Sequence, residues 1–218
     1  MKRFFVIFFL IFGLMIFSQD TNATVVGGIE YKIPIDYEKL SQDELETKAD
    51  FYYLQARKNA IGEVDRDMTN ALVLYTILTK KCPDNTFYFT RVGVLYDLCN
   101  RDKYAKSNFS RAISEDSSKP ETYFYFGEFF YRRLHLKKAL NMYKQAYKKG
   151  FNNDYQTVFK IGDIYEKLGD TEAALKYFYM AREISPNEEL EQNIIRAEQA
   201  HQINKEYYSD SRIEESER

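Results

Sequence analysis

The side chains best suited to chemistry are few in this chain. Among 218 residues there are two histidines, His135 and His201, and two cysteines, Cys82 and Cys99. His135 lies in the stretch Leu134-His-Leu136, and neither histidine has a partner at a catalytic or metal-ligand spacing. A lone histidine of this kind reads as a turn or surface residue. Two cysteines and two histidines so placed are too few soft ligands for a zinc finger or an iron–sulfur site. Gly27-Gly28 has no strand–helix context, so it reads as linker and not as a phosphate loop. The carboxylates Glu128, Asp163 and Glu166 fall at helical spacings, where a solvated helix face is the ordinary reading. Nothing here assembles a catalytic set, a cofactor site or a metal site, and the expectation is a chain that is not an enzyme.

Charge narrows the field further. Lys and Arg number 31 against 33 Asp and Glu, a formal net charge of −2. A protein built to hold nucleic acid needs a basic face, so none is expected as a partner. Only 9 Gly and 4 Pro stand against 19 Tyr and 17 Phe. So few breakers favour long helices joined by short turns.

The first residues address the chain. Met1-Lys2-Arg3 is basic, Phe4 to Phe17 is an apolar run of 14 residues, and Ser18-Gln19-Asp20 turns polar. That pattern predicts a secretory signal peptide over residues 1–18, cut after Ser18 or, as an alternative, after Ala23. A bilayer span wants about 20 apolar residues, so an uncleaved anchor is the lesser alternative and no membrane span is expected after cleavage. Export makes a secreted or periplasmic protein the expectation, membrane-anchored if the signal is not cut. It also opens a compartment where cysteines can bridge. Helix geometry argues against a Cys82–Cys99 bridge. The two sit near the ends of successive helices, separated by about 20 Å of helix rise, and a disulfide needs Cα atoms within about 7 Å.

The body of the chain repeats. Ala71, Ala105, Ala139 and Ala174 are separated by 34, 34 and 35 residues. Four residues after each stands an aromatic ring: Tyr75, Phe109, Tyr143 and Phe178. Seven after each stands Leu78, Ala112, Ala146 or Ala181. Twelve before the last three lie Gly93, Gly127 and Gly162, each followed three residues later by Tyr96, Phe130 or Tyr165. Offsets of three, four and seven are helical offsets. A period of this length marks a repeat architecture of helical hairpins. Two helices approach closely where small residues meet, so Gly93 is expected to face Ala105, Gly127 to face Ala139 and Gly162 to face Ala174. Ser41 with Glu44, and Ser185 with Glu188 around Pro186, read as helix starts.

This register resembles the tetratricopeptide repeat, over roughly residues 45 to 188. The family's Trp near the start of the first helix is replaced by Phe89, Tyr123 and Val158. The first unit departs most, because it has no glycine in register. Its inter-helix stretch Gly62 to Asp67 is similar to the longer loop of Sel-one-like repeats. The resemblance implies an all-α, right-handed superhelical solenoid of about four hairpins plus a C-terminal capping helix. The predicted helices are 41–61, 66–81, 86–99, 102–115, 120–133, 136–149, 154–168, 171–184 and 187–208. Residues 19–40 are expected as a linker, 41–208 as the repeat domain and 209–218 as a disordered tail.

The resemblance also implies where a partner would lie, since first helices of the hairpins line the concave face in that family. Carried over, the groove is made of Phe87, Arg91, Phe124, Glu128, Tyr131, Arg132, Phe159, Lys160 and Asp163. Thr90, Val94, Asp97, Glu121, Tyr125, Gln156 and Glu166 extend it. The aromatic residues would hold an extended or helical segment of a protein or peptide, and Arg91, Arg132 and Lys160 its carboxylates. The function expected is a non-catalytic scaffold or chaperone-like adaptor. The alternatives are a structural subunit that self-assembles through its repeats and an accessory subunit of an envelope enzyme. A charged last helix argues against end-to-end stacking.

Overall fold

A computed structural model describes residues 23–26, 29–32, 37, 39–58, 61–62 and 64–216. The expected signal peptide, the Gly27-Gly28 pair and residues 33–36 and 38 of the expected linker lie outside the described residues. The described part of the expected linker contains a two-stranded antiparallel sheet, β1 (Ala23–Val26) and β2 (Ile29–Lys32), in which Val26 pairs with Ile29 and Ala23 with Lys32. That hairpin lies in the expected linker, outside the repeat domain, which is all-α as expected.

Everything else of regular structure among the described residues is helical. The helices are α1 (Gln42–Ala56), α2 (Arg66–Lys81), α3 (Thr86–Leu98), α4 (Asp102–Glu115), α5 (Pro120–Arg132), α6 (Leu136–Lys148), α7 (Tyr155–Lys167), α8 (Thr171–Ile184) and α9 (Glu188–Ser216). A short 3-10 turn, Phe151–Asn153, leads into α7. By contact the chain divides into two units, one ending at Tyr104 and the other starting at Ala105. In the first unit, α1 pairs with α2, α3 packs on α2, and β1 lies beside α2. In the second, α5 pairs with α6, α7 with α8, and α9 packs on α8.

The repeat register is the core. Ala71, Ala105, Ala139 and Ala174, the rings four residues on, and the residues seven on are all at most 1% exposed. A Cβ on Gly162 would meet the Ala174 carbonyl oxygen at 3.3 Å, the neighbour expected for it, and at both Gly127 and Gly162 a ring lies closer still. A Cβ on Gly127 would sit 2.9 Å from the Tyr143 ring, and one on Gly162 would sit 2.7 Å from the Phe178 ring. Each glycine is therefore covered by the ring four residues past the alanine. The bare backbone lets a flat aromatic lie directly on the helix.

The turns inside the hairpins repeat as well. Asn100, Leu134 and Gly169 have φ of 56°, 56° and 82°. The amide after each donates back across the helix end: Arg101 to Tyr96 O, His135 to Phe130 O and Asp170 to Tyr165 O, at 2.8–3.0 Å. This is the Schellman arrangement, whose left-handed residue is usually glycine or asparagine. Leu134 is the exception, 77% exposed and with nothing to gain from its side chain there. A left-handed L-residue costs about 1–2 kcal/mol. Leu134→Gly is expected to raise stability by about 0.5–1 kcal/mol, after the extra unfolded-state entropy of glycine is subtracted. Chemical denaturation checks it, and a loss of stability would mean that the turn is not left-handed in solution.

Three boundaries differ from expectation. α1 stops at Ala56 and not near 61; the chain turns through Arg57 and Lys58, and the Gly62 amide donates to Leu98 O at 2.6 Å with φ +93°. The long first loop is thus tied to the end of α3. α9 starts from Asn187, whose side chain accepts from the Leu190 amide at 3.0 Å, while Ser185 closes α8. Two candidate caps only two residues apart compete, and the helix takes the asparagine. α9 runs on to Ser216, through residues 209–216 of the tail expected to lack structure. The capping box of Ser41 and Glu44 forms at the start of α1 as expected.

Candidate functional site

In the first unit the groove residues Phe87 and Arg91 sit one helical turn apart on α3 and do meet. The Arg91 guanidinium lies 4.4 Å from the centre of the Phe87 ring and 4.4 Å from that of Tyr53 on α1. Its Nη1 donates to Tyr53 Oη at 3.0 Å. The cation is thereby engaged by rings on two helices, a geometry suited to arginine's flat and weakly hydrated head. Tyr53 carried no repeat mark of its own, so the sequence offered no signal for it. Thr90, Val94 and Asp97 were expected beside them but are buried, at 3%, 6% and 1% exposed. α3 is buried over most of its surface, and it has no open face on which these residues could line a groove.

Behind that pair, hydroxyls of buried rings reach carboxylates on α1. Tyr75 donates to Asp50, and Tyr88 to Glu46. Burial, reinforced by the bond to Glu46, pushes the Tyr88 hydroxyl up to about 12. Burial first and the Asp50 carboxylate second raise that of Tyr75. These hydroxyls are donors fixed in the neutral form at any ordinary pH.

In the second unit the expected residues form one connected network. Lys160 Nζ on α7 is 3.7 Å from Glu128 Oε1 on α5, and lies 4.1 Å from the centre of the Tyr131 ring. Tyr131 Oη donates to Asp163 Oδ2 at 2.6 Å, and Lys167 closes on the other Asp163 oxygen. Glu128 also accepts from Tyr143 of α6. Five groups from α5 and α7 are thus tied across the two first helices. Lys167 lies four residues from Asp163, the helical ion-pair spacing, and could have been read from sequence. The Lys160–Glu128 pair joins two helices and could not.

The aromatic residues are less free than the groove reading required. Phe124 is half-buried, edge-on to Tyr143 at 5.7 Å and to Phe151 at 6.2 Å. Phe159 stacks on Tyr155 at 5.8 Å and touches the buried Phe178 ring, also at 5.8 Å. It packs against the core between α7, α8 and α9, so the residue expected as an open groove anchor is partly a core residue. Lys160 is engaged by Glu128, and Arg91 by two rings and a hydroxyl. Arg132 is exposed, as are Glu121 and Gln156. Glu166 is bound by Arg196 of α9 at 2.7 Å.

The remaining candidates keep apart. His135 stacks at 6.4 Å on Phe130, and His201 Nδ1 is 3.2 Å from Thr171 Oγ1. Cys82 Sγ donates to Gln42 Oε1 at 3.1 Å, and Cys99 is buried with its thiol pushed up to about 11 by desolvation. Both are free thiols, and Cys82 is half-buried. Among the described residues no group of acids, histidines and cysteines is placed to hold a metal ion. No helix among them is long and apolar enough to cross a membrane.

No protein-family model matches the chain, and no curated protein does. Solved structures do match in fold. The MamA protein is 17% identical, over 77% of this chain and 88% of that one, with a TM-score of 0.59. TTC0263, a thermophilic TPR protein of Thermus thermophilus, is 16% identical, over 74% of this chain and 86% of its own, with a TM-score of 0.54. The chain has the fold of a tetratricopeptide-repeat protein.

Proposed function

We propose that the chain is a non-catalytic protein–protein interaction module of the periplasm or cell envelope. It holds an extended or helical partner segment against the first helices of its hairpins. The observation that carries this reading is the tie between α5 and α7. Tyr131 to Asp163 and Lys160 to Glu128 lock two consecutive first helices into one fixed surface. Half-buried Phe124 and Tyr125 and exposed Arg132 border that surface. A preorganised face loses little freedom on binding, which favours affinity. Its acids and bases already satisfy one another, so they offer a patterned polar rim and no free base or nucleophile. Export rests on the basic start and the apolar run of 14 residues.

The test is photo-crosslinking in the expressing cell. A photoreactive residue placed at Arg132 or Gln156 is expected to give an adduct with one foreign polypeptide. The same probe at Lys137 or Lys148, exposed on the second helix α6, is expected to give none. The recovered protein should begin at Gln19 or Thr24. Equal labelling from both helices would remove the groove, and an intact Met1 would remove the cleaved signal.

A further inference from the structure

We infer that the outer face of α6 docks on an anionic phospholipid surface. Residues 129–153 carry seven bases and no acid, while the other 193 residues carry 24 bases against 33 acids. The near-zero net charge hides this segregation. Among the nine α-helices described, α6 alone lacks an Asp or Glu. Lys137, Lys138, Lys144 and Lys148 stand on it, and Lys149 closes its end. At 3.6 residues per turn their offsets place all of them within about 140° of arc. The other positions in that arc are Asn141 and Gln145. The opposite side holds Ala139, Tyr143 and Ala146, all buried. Lys144 and Lys148 are four residues apart, a like-charge spacing that weakens a helix.

These lysines are displayed and not neutralised. Lys137, Lys138 and Lys148 are exposed, and Lys144 and Lys149 half-buried. Rings steady three of them: Lys138 lies 5.7 Å from the centre of Phe130, Lys144 5.0 Å from Tyr165 and Lys149 5.2 Å from Tyr123. A ring holds an ammonium without cancelling its charge. None of these lysines pairs with a carboxylate among the described residues. Lys106 of α4 shares the Phe129 ring with Arg133, at 5.6 and 3.8 Å, which carries the basic face onto the preceding hairpin. The acids of the neighbouring helices are engaged or balanced. Glu115 stands 4.0 Å from Arg111, and Asp116 3.5 Å from Lys119. Asp170, whose charge reaches Lys144, accepts from the Ala173 amide at 3.0 Å as the cap of α8. Glu172 and Glu183 are exposed near the two ends of α8, with exposed Lys176 between them.

Chemistry selects lipid as the occupant. An acidic peptide is ordinarily held in a groove, and a nucleic acid by stacked rings or arginine forks. The outer side of α6 is a convex ridge of lysines with its rings beneath them. Lysine is a compact, strongly hydrated point charge with no fixed fork, which suits a diffuse anionic layer. Clusters of this size draw a protein to acidic headgroups, each base strengthening association about fivefold. α6 is not part of the α5–α7 surface proposed above, so lipid docking does not depend on a partner being held there.

Co-sedimentation with vesicles, on the protein as cells produce it, gives the test. Wild type is expected to pellet with vesicles of phosphatidylcholine and phosphatidylglycerol, not with phosphatidylcholine alone, and to be released as salt rises. Lys137→Gln with Lys148→Gln removes two exposed charges and should weaken binding about 20-fold or more. Lys48→Gln with Lys58→Gln makes the same change in net charge on α1 and should leave binding within about twofold of wild type. The thermal melts should coincide, since all four lysines are exposed. Should the α6 pair melt earlier, its two single variants, each about fivefold weaker, carry the same test. A wild type that ignores the anionic vesicles overturns the inference. Its capture instead by polyglutamate or a DNA duplex would give the face to an acidic protein or a nucleic acid. An α6 variant that binds as wild type does also overturns it. So does equal loss in the α1 and α6 variants, because net charge and not the α6 face would then be responsible.

Discussion

Truncating Phe178 to alanine is expected to lower stability by about 3–5 kcal/mol, the range for losing a buried phenylalanine. The ring is 0% exposed and touches Gly162, Phe159 and the cluster that holds Leu190 and Ile194 of α9. The space it leaves has no ready filler. Gly162 offers no side chain, and Ala174 and Ala181 on its own helix are fixed by the backbone. The loss should show in two ways. Denaturant titration should give the lower stability, and amide exchange should rise first over residues 188–201. That segment of α9 is held chiefly by this cluster, and repeat arrays lose their terminal elements first when an interface weakens. A loss below about 1 kcal/mol, or exchange that rises evenly along the chain, would mean that α9 is anchored elsewhere.

That ring was visible in the sequence because its position recurs. Tyr75, Phe109, Tyr143 and Phe178 follow their alanines at one offset, and a period of that kind reports a shared environment whatever the individual residue. The turns recur too, since the left-handed residues Asn100, Leu134 and Gly169 stand 34 and 35 residues apart. Leu134 hid the pattern, because leucine is an unexpected occupant of such a turn. Periodicity could not say which atoms meet. Glycine and alanine were matched as the two small residues of a contact. In the structure Gly162 does stand close to the Ala174 carbonyl, and the ring four residues past the alanine lies closer still.

The candidate site was legible only in part, for a related reason. A repeat rule assigns residues to a face, and Phe124, Glu128, Tyr131, Lys160 and Asp163 are on neighbouring first helices as the family resemblance implied. The rule does not assign partners. Lys160 finds Glu128, and Tyr131 finds Asp163, across a helix pair whose offset is set by packing. Phe159 shows the cost of reading a face from spacing alone. Its ring is large enough to reach round the helix to Phe178, so a residue assigned to the groove takes part in the core. Residues outside the repeat were the least legible. Nothing in the local sequence of Phe51 or Ile203 says that the surface beside it stays uncovered. That depends on which helix the fold leaves without a neighbour.

The glycine itself provides the sharpest check on the hairpin contact. Gly162→Val is expected to lower stability by about 2–3 kcal/mol, at the upper part of the range for overpacking. The new Cβ would stand 2.7 and 2.9 Å from two Phe178 ring carbons and 3.3 Å from the Ala174 carbonyl oxygen. The ring is enclosed and the carbonyl is helix backbone, so neither can retreat cheaply. Valine's two methyls deepen the conflict. Alanine is the informative comparison, because two effects oppose each other. It gains about 1 kcal/mol of helix propensity over glycine and meets the same two ring carbons. The clash should win, leaving Gly162→Ala less stable than wild type by about 1 kcal/mol. Leucine at 178 carries no ring in that place. In a Phe178→Leu background the same Gly162→Ala change should therefore become neutral or stabilising. A double-mutant cycle read by denaturant titration measures the coupling, expected at about 1–2 kcal/mol. If alanine at 162 stabilises the protein with Phe178 intact, the ring does not lie on the glycine, and the close contact of the hairpin must be sought between Gly162 and Ala174 after all.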